Sequence, residues 1–316
     1  MDDSACFLEK APWQTRSHIA RPFVRHPNLQ PHPVQIRHYR PSKAEAVLSV
    51  IIPTSDAWRN GYFPKLLKQI PSQTFHNFEL IVVRGDPRQG RAINIGAALA
   101  EGKYLLTLDD DTSLPDPETF RKLVTTMEEN PDIGIAGGNN VIPQDALPVV
   151  RKVMEQLPRR SWKVVEEITD SDLAEHPCMI MRAEPFRAVG GENELLPRGL
   201  DPYLRQAFRE AGWRVVVVPS VVYHHLPPDN YRKLVRQFYR NGRQAAFVNH
   251  HFPHWVIETP AEHGSFTPRI PLYKRILRFP IRLMGALASG RLIWLLCETA
   301  YALGFMKEWL LPSKNA

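Results

Sequence analysis

The chain has 316 residues, of which 43% are hydrophobic and 23% charged, and its formal net charge is +7 at pH 7. This composition is typical of a globular protein and excludes a wholly disordered chain. The positive charge favours anionic partners, such as phosphorylated small molecules, nucleic acid or an anionic membrane surface. Cys6, Cys178 and Cys297 are scattered without a metal-type spacing, so we expect no disulfide framework and a reducing compartment.

Residues 1–45 are rich in Pro, His and Arg and show no sustained hydrophobic period. They therefore predict an extended N-terminal arm rather than a domain. The first residues are acidic and form no continuous apolar stretch, so we expect no signal peptide.

Strands and helices alternate from residue 46 to residue 138. Apolar runs predict strands within 46–56, 77–86 and 104–108, with helices within 63–73 and 88–101. A further helix is predicted with Asp116 as its cap and Pro117 at its first position. This alternation predicts an α/β fold with a doubly wound, mostly parallel sheet.

An acidic cluster, Asp109 to Asp111, directly follows the predicted strand at 104–108. Ligands of open α/β sheets bind at the carboxyl ends of the strands. Three adjacent carboxylates repel one another unless a cation neutralises them, and Mg²⁺ or Mn²⁺ carrying substrate phosphates suits such oxygen-rich sites. The alternative is a solvated acidic turn that caps the next segment.

Residues 139–250 show a looser pattern that we interpret as a second half of the same domain, so that the predicted domain spans 46–250. Helices are predicted within 145–157, 185–191, 200–211 and 229–251, and strands within 178–182 and 215–218. Asp201, followed by Pro202, stands at the start of one helix. Its carboxylate could act as a general base or could cap that helix.

Residues 251–316 predict a basic amphipathic helical tail. Lys274, Arg275, Arg278 and Arg282 recur at about helical spacing beside apolar residues. Such a helix lies in a membrane interface, held by apolar burial and by attraction to anionic lipid. The alternatives are a helix pair packed on the main domain or a dimer interface, and no segment is long and apolar enough to cross a membrane.

Several motifs occur in an order that resembles the family 2 glycosyltransferases of the GT-A fold, which transfer a sugar from a nucleotide diphosphate donor with inversion. "LSVIIPT" is similar to the opening strand of that family, and "GRAINIGAALAEGKYLLTLDDD" to the stretch that ends in its DxD metal motif. "FRAVGGENELLPRGLDPYLRQAFREAGWRV" resembles its acceptor loop and base-bearing helix, and "VVYHH" a later histidine. The resemblance covers about residues 47–245, with 46–138 as the nucleotide-sugar half and 139–250 as the acceptor half.

The resemblance implies roles for individual residues. Asp111, Asp109 and His224 would bind Mn²⁺ or Mg²⁺, with His225 as the alternative because adjacent strand residues point in opposite directions. Asp201 would be the general base, with Glu194 in reserve. The residues implied in donor binding are Pro53, Thr54, Arg84, Asp86, Arg91, Asn94, Asp109 and Asp110; those implied in acceptor binding are Glu194 and Gly191; those implied in diphosphate contact are Arg236 and Arg240.

The sequence departs from the family pattern at two places. Arg84 stands where the family has an acidic residue after its second strand, with Asp86 two positions on. Leu200 replaces the first carboxylate of the base-bearing pair, so Asp201 has no neighbouring carboxylate that competes for the role of general base. Separately, Gln237 and Arg240 have the spacing of the QxxRW motif of processive polysaccharide synthases, but Asn241 stands in place of its Trp, which argues against a processive synthase.

The predicted function is therefore a metal-dependent inverting glycosyltransferase with a glycan or lipid-linked acceptor, in cell-surface polysaccharide or glycolipid synthesis. We expect a cytoplasmic protein held peripherally at the inner face of the cell membrane, with a homodimer as a further possibility. The alternative is a catalytically silent relative that serves as a membrane-associated scaffold. The chain lacks GxGxxG after its first strand, GxxxxGK[ST] and any nucleic-acid-binding module, so the sequence disfavours a nicotinamide oxidoreductase, a P-loop nucleotidase and a nucleic-acid partner.

Overall fold

The structure is a computed structural model that describes residues 11–41, 45–260, 262–264 and 271–313. Parts of the predicted arm and tail, together with Cys6, lie outside the described residues. No helix among the described residues is long and apolar enough to span a bilayer.

One mixed sheet forms the centre of the protein. Its strands within the described residues are β1 Gln14–Arg16, β2 Val34–Tyr39, β3 Leu48–Thr54, β4 Phe78–Arg84, β5 Tyr104–Thr107, β6 Thr112–Ser113, β7 Ile133–Asn140, β8 Thr169–Asp170, β9 Met179–Arg182 and β10 Arg214–His225. Their order is β1-β2-β4-β3-β5-β9-β7-β10-β6, and β8 pairs with β10. Strands β4, β3, β5, β7 and β10 run in one direction, whereas β2 and β9 are antiparallel to their neighbours. This arrangement confirms the predicted mostly parallel α/β sheet.

Helices cover both faces of this sheet. They are α1 Tyr62–Gln69, α2 Gln89–Leu99, α3 Thr119–Glu129, α4 Pro148–Gln156, α5 Ala183–Ala188, α6 Leu200–Glu210, α7 Tyr231–His251, α8 Leu272–Ala288 and α9 Leu292–Leu310. Successive residues of β3 point to opposite faces: Val50 and Ile52 pack in the core under α1 and α3, and Ile51 packs in the core under α2, α5 and α6. The alternation of side chains along a strand thus produces two hydrophobic layers, as a doubly wound sheet requires.

Helix α3 begins two residues later than the sequence predicted. Its first residue is Thr119, with Glu118 at the cap position. The Asp116 carboxylate instead accepts a hydrogen bond from Glu118 N at 2.9 Å, and its carbonyl oxygen accepts from Thr119 N at 3.2 Å. Asp116 therefore closes the turn before the helix, because its short side chain reaches the backbone two residues on.

The N-terminal arm extends the sheet. Strand β2 pairs antiparallel with β4, and β1 pairs with β2. Glu79 of β4 ties these strands together: its buried carboxylate accepts from His38 Nε2 at 2.6 Å and from Ser49 Oγ at 2.6 Å. The sequence pattern revealed no strand here, because β1 has only three residues and because β2 contributes only Val34 and Ile36 to the buried core.

The two tail helices differ in their packing. Helix α9 crosses α7 closely: a Cβ at Gly304 would collide with the carbonyl group of Tyr239, and one at Gly242 with that of Tyr301. Arg243 of α7 also pairs with Glu308 of α9 at 2.6 Å. Helix α9 therefore packs on the main domain, whereas α8 exposes the apolar residues Tyr273, Ile276, Leu277, Ile281, Met284 and Leu287.

Candidate active site

A cluster of two carboxylates and one imidazole lies where β5 and β10 end. The possible ligand atoms of Asp109, Asp111 and His225 all lie within 4.8 Å of one another. His225 Nε2 is 3.2 Å from Asp111 Oδ1 and 3.9 Å from Asp109 Oδ2. The short strand β6, directly after the aspartates, pairs antiparallel with the end of β10 and so brings His225 beside them. We call these three residues the carboxylate–histidine cluster.

The structure places His225 in this cluster, not His224, which we predicted as the metal ligand. His224 Nδ1 lies 2.8 Å from the Val141 carbonyl oxygen, to which it donates a hydrogen bond. The two histidines are adjacent on one strand, so their side chains point to opposite sides. The position of β6 decides which side faces the aspartates.

Asp110 and Asp111 also contact a loop that follows β3. Thr54 Oγ1 donates to Asp110 Oδ2 at 2.7 Å. The Arg59 guanidinium lies 2.7 Å from Asp111 Oδ2 and 3.3 Å from Asp110 Oδ1. Arg59 has a φ of 45°, and its neighbour Asn60 one of 55°, a conformation that L side chains rarely adopt. The sequence analysis missed Arg59, because no local pattern indicates that this loop folds back onto the aspartates.

Burial and charge set the protonation of the cluster. Burial raises the pKa of Asp109 to about 7, with the Asp111 carboxylate adding to the effect and His225 opposing it. Burial likewise raises the pKa of Asp110 to about 6, against its hydrogen bond from Thr54. For Asp111, burial acts in the same direction, but His225 and Arg59 outweigh it and hold the pKa of this carboxyl well below its usual range.

The donor set fits a divalent cation. Asp111 Oδ1 is buried without a well-formed hydrogen bond, although it points towards His225 and Asp109. Carboxylate oxygens with one imidazole nitrogen are a ligand set that suits Mn²⁺ and is compatible with Mg²⁺. These three side chains could therefore hold the ion that the sequence predicted, with His225 in the place of His224.

Asp201 lies at the second position of α6, where its side chain is 30% exposed. Its carboxylate accepts a hydrogen bond from His176 N at 2.9 Å and lies 3.7 Å from His176 Nε2. The cap of this helix is Gly199, so capping does not explain Asp201. Burial opposes the charge on Asp201, but His176 and Arg205 outweigh it and lower the pKa of the carboxyl.

His176 connects Asp201 to the interior. Its Nδ1 is 3.0 Å from Thr107 Oγ1 on β5, and its Nε2 is 3.0 Å from Glu192 Oε1. Burial alone would lower the pKa of His176, yet Asp201 and Glu192 together raise it to about 9. An imidazolium thus lies beneath Asp201. Sequence analysis missed His176, because a single histidine outside the recognised motifs carries no signal.

Other predicted residues have structural partners. Glu194 is fully buried and pairs with Arg21 of the arm at 2.5 Å, and Asn94 Nδ2 donates to it at 3.1 Å. Gly191 has a φ of 62°, and a Cβ there would lie 2.5 Å from Asn94 Oδ1. These three predicted residues thus hold the arm and the acceptor loop together, and Glu194 is too enclosed to serve as a reserve base.

The remaining predicted donor residues lie around the ends of β3 and β4. Pro53 is in β3, next to Thr54. Arg91 pairs with Asp86 at 2.7 Å. The Arg84 guanidinium lies 5.6 Å from the ring centre of Trp13, an aromatic residue of the arm that lines a recess with Arg84 and that the sequence did not indicate as part of a site.

Arg236 and Arg240 are exposed on α7, and neither forms a hydrogen bond or an ion pair with the residues that the structure describes. No described contact joins them to the carboxylate–histidine cluster. Their role at the diphosphate stays a prediction.

Known proteins resemble this chain in both fold and sequence. The structure of a mannosyltransferase from Pyrobaculum calidifontis, in complex with GDP-Man and Mn²⁺, matches with a TM-score of 0.53 at 15% identity over 98% of this chain and 93% of that chain. The fold is therefore the GT-A glycosyltransferase fold.

Sequence comparison agrees with the resemblance over part of the chain. Residues 84–190 match the family described as "Glycosyl transferase family 2", which is the family that the motifs resemble. An uncharacterized glycosyltransferase from Haemophilus influenzae is 33% identical over 184 residues, which cover 50% of this chain and 60% of the relative. The match thus spans less than two thirds of the relative's length.

Proposed function

We propose that this protein is a metal-dependent inverting glycosyltransferase that moves a sugar from a nucleotide-diphosphate-sugar donor to a hydroxyl group. The observation that carries the proposal is the carboxylate–histidine cluster at the carboxyl ends of β5 and β10. The mannosyltransferase of similar fold, which was crystallised with GDP-Man and Mn²⁺, supports the donor class and the metal.

On the donor side, negative charge accumulates on the departing diphosphate. A divalent cation held by Asp109, Asp111 and His225 would neutralise that charge. Thr54 keeps Asp110 in place through its 2.7 Å hydrogen bond. Arg59 lies against the same carboxylates and is therefore able to contact the diphosphate at this edge of the sheet.

On the acceptor side, the attacking hydroxyl must lose a proton, and Asp201 is the group that would take it. His176 holds the Asp201 carboxylate through its backbone N–H and favours its ionised form by charge. Inversion follows from a single displacement, in which the acceptor attacks from the face opposite the leaving diphosphate.

The tail supports a membrane-proximal acceptor. Lys274 and Arg278 are exposed on α8 beside Ile276, Leu277 and Ile281, whose exposures are 61%, 69% and 70%. Exposed apolar side chains flanked by cations match the boundary of an anionic bilayer, where the apolar groups enter the acyl region and the cations meet lipid phosphates. The proposed location is the cytoplasmic surface of the cell membrane, and the proposed acceptor is a glycan or a lipid-linked molecule in polysaccharide or glycolipid synthesis.

Calorimetric binding of UDP, GDP, CDP and dTDP, with and without Mn²⁺, tests the donor site. We expect one nucleotide to bind only with the metal, and Asp111→Ala and His225→Ala to weaken that binding by about tenfold or more. His224→Ala is the matched control and should change it by no more than about twofold. Absence of nucleotide binding under every condition would overturn the proposal and favour a silent scaffold, and equal effects of the two histidines would contradict the assigned ligands.

Transfer and membrane binding need separate measurements. Asp201→Asn should keep nucleotide binding and abolish sugar transfer; retained transfer would exclude Asp201 as the base.

For the tail, co-sedimentation with anionic and zwitterionic vesicles should show that the protein binds the anionic vesicles alone. The variant Ile276→Ser/Leu277→Ser should bind them more weakly. Leu29→Ser, at an 88% exposed position of the arm, is the control. A tail-dependent dimer in solution without vesicle binding would instead assign α8 to a homodimer interface.

A further inference from the structure

Three arginines without an ion-pair partner among the described residues lie on two loops, one that follows α4 and one that precedes α6. Arg159, Arg160 and Arg198 are partly buried, and none of them forms a side-chain hydrogen bond or an ion pair with any residue that the structure describes. We call them the arginine cluster. We propose that this cluster binds a phosphate group of the acceptor and so positions the acceptor hydroxyl over Asp201, an inference that rests on the proposed glycosyltransferase function.

Hydrogen bonds of Asn140 fix Arg160 beside the metal-site histidine. Asn140 Nδ2 donates to the Arg160 carbonyl oxygen at 2.8 Å, while Asn140 Oδ1 accepts from His225 N at 3.0 Å. Trp162 N donates in turn to the Asn140 carbonyl oxygen at 3.2 Å. The loop that follows α4 is therefore tied to the carboxyl ends of β7 and β10.

Arg198 belongs to a second loop, directly before the helix that carries Asp201. It precedes Gly199, whose φ of 82° turns the chain into α6, and it stands three positions before Asp201. Arg159 itself has a φ of 61°, a conformation that a non-glycine residue rarely adopts and that often marks functional sites. Two loops thus carry the three cations, and one of these loops leads directly into the helix of the proposed base.

The electrostatics agree with this placement. Burial lowers the pKa of Arg160 and of Arg198, and the charge of Arg159 lowers both further. The charges of Glu175 and Asp111 act on Arg160 in the opposite direction, as Asp201 does on Arg198, but none of these carboxylates forms an ion pair with either arginine. The cluster therefore acts electrostatically on a metal-site carboxylate and on the proposed base.

The arrangement differs from the structural arginines of this protein. Arg205, for example, is buried and pairs with Asp172 at 3.2 Å. Like charges that act on one another and form no ion pair destabilise the protein unless an anion joins them. A guanidinium presents parallel N–H donors that match phosphate oxygens in pairs, so a phosphate group is the anion that this cluster fits.

The cluster also borders the tail. Arg198 lies near Tyr301 and Arg160 near Cys297, both on α9. A phosphate carried by a soluble sugar and one carried by a lipid at the membrane surface share the chemistry that the cluster would recognise. The two sources therefore have to be distinguished by experiment.

Calorimetry and thermal unfolding with inorganic phosphate, in the absence of metal, test the cluster. We expect phosphate to bind and stabilise the wild type, and Arg198→Gln and Arg160→Lys to weaken this binding by about tenfold. Arg232→Gln removes an exposed, unpaired arginine of α7 and should leave it unchanged. Without phosphate, Arg198→Gln should unfold at the wild-type temperature or above, because a repulsion is relieved. Unaltered phosphate binding, or a lower unfolding temperature of both variants, would overturn the proposal.

Nucleotide binding with Mn²⁺, measured on the same variants, separates this inference from the proposed function. If Arg198→Gln binds nucleotide as tightly as the wild type but no longer binds phosphate, the result supports an acceptor site. An equal loss of both would assign the arginines to the donor diphosphate and overturn the acceptor assignment. If the wild type binds phosphate through Arg198 but no nucleotide, the proposed function fails while the anion site stands.

A final comparison identifies the source of the phosphate. Arg198-dependent binding of glucose 1-phosphate would indicate a soluble phosphorylated acceptor. Arg198-dependent binding to zwitterionic vesicles that contain phosphatidic acid, without binding of the sugar phosphate, would indicate a lipid phosphate. Binding of both probes that is independent of Arg198 would overturn the site.

Discussion

The buried carboxylate of Glu79 makes the attachment of the arm measurable through acid unfolding. It is 0% exposed and accepts hydrogen bonds from His38, Ser49 and the Glu101 backbone N–H, at 2.6, 2.6 and 2.7 Å. Arg40 of the arm lies 3.2 Å away. The substitution Glu79→Gln keeps the size of the side chain and removes its charge.

The magnitude follows from the pKa of Glu79. Burial acts to raise it, but the hydrogen bonds from His38, Ser49 and the Glu101 backbone outweigh burial and lower the pKa from 4.5 to about 2. A carboxyl whose pKa is lower in the folded than in the unfolded protein stabilises the fold fully when the pH is above the unfolded pKa. This stabilisation is lost as the pH falls towards the folded pKa. The difference corresponds to about 3 kcal/mol at neutral pH, of which about 2 kcal/mol is lost by about pH 3.

Urea unfolding of the wild type and of Glu79→Gln between pH 7 and pH 3 measures this contribution. We expect a difference of about 3 kcal/mol at neutral pH that shrinks to about 1 kcal/mol at about pH 3. Glu101→Gln is the control: Glu101 pairs with the same Arg40 at 2.6 Å but is 61% exposed, so its loss should cost less than about 1 kcal/mol. A difference for Glu79→Gln that stays constant with pH would refute the reasoning.

Three further predictions concern packing, buried charge and the metal site. In urea unfolding, Gly304→Ala should destabilise the protein by more than about 2 kcal/mol, because its Cβ would collide with a backbone carbonyl of α7. Gly285→Ala is the control and should be neutral or stabilising, because a Cβ there meets no described atom within 4 Å. Asp172→Asn should cost about 3 kcal/mol or more, because it leaves the buried Arg205 without its partner; an unchanged unfolding midpoint would contradict this. Arg59→Gln should strengthen calorimetric Mn²⁺ binding by about tenfold in the absence of nucleotide, since the guanidinium no longer competes for the carboxylates; weaker binding would exclude competition.

The apolar runs and their order along the chain were sufficient to predict the fold. Buried strands such as β3 and β5 show as continuous hydrophobic stretches, and glycines and prolines mark where they end. The aspartates follow directly after β5, so their position at the carboxyl end of a strand is a local property. The motifs likewise indicated a resemblance to the family 2 glycosyltransferases, and residues 84–190 match that family in the sequence comparison.

The assembly of the site depends on contacts between distant residues. Strand alternation indicated that one of two adjacent histidines faces the aspartates, but only the pairing of β10 with β6 selects His225. Arg59 and His176 reach Asp111 and Asp201 through loops whose paths leave no periodic signal. The sequence by itself thus determined the elements and the residue types at their ends. Tertiary structure alone decided which side chains meet, because sheet register and loop path depend on the packing of the whole domain.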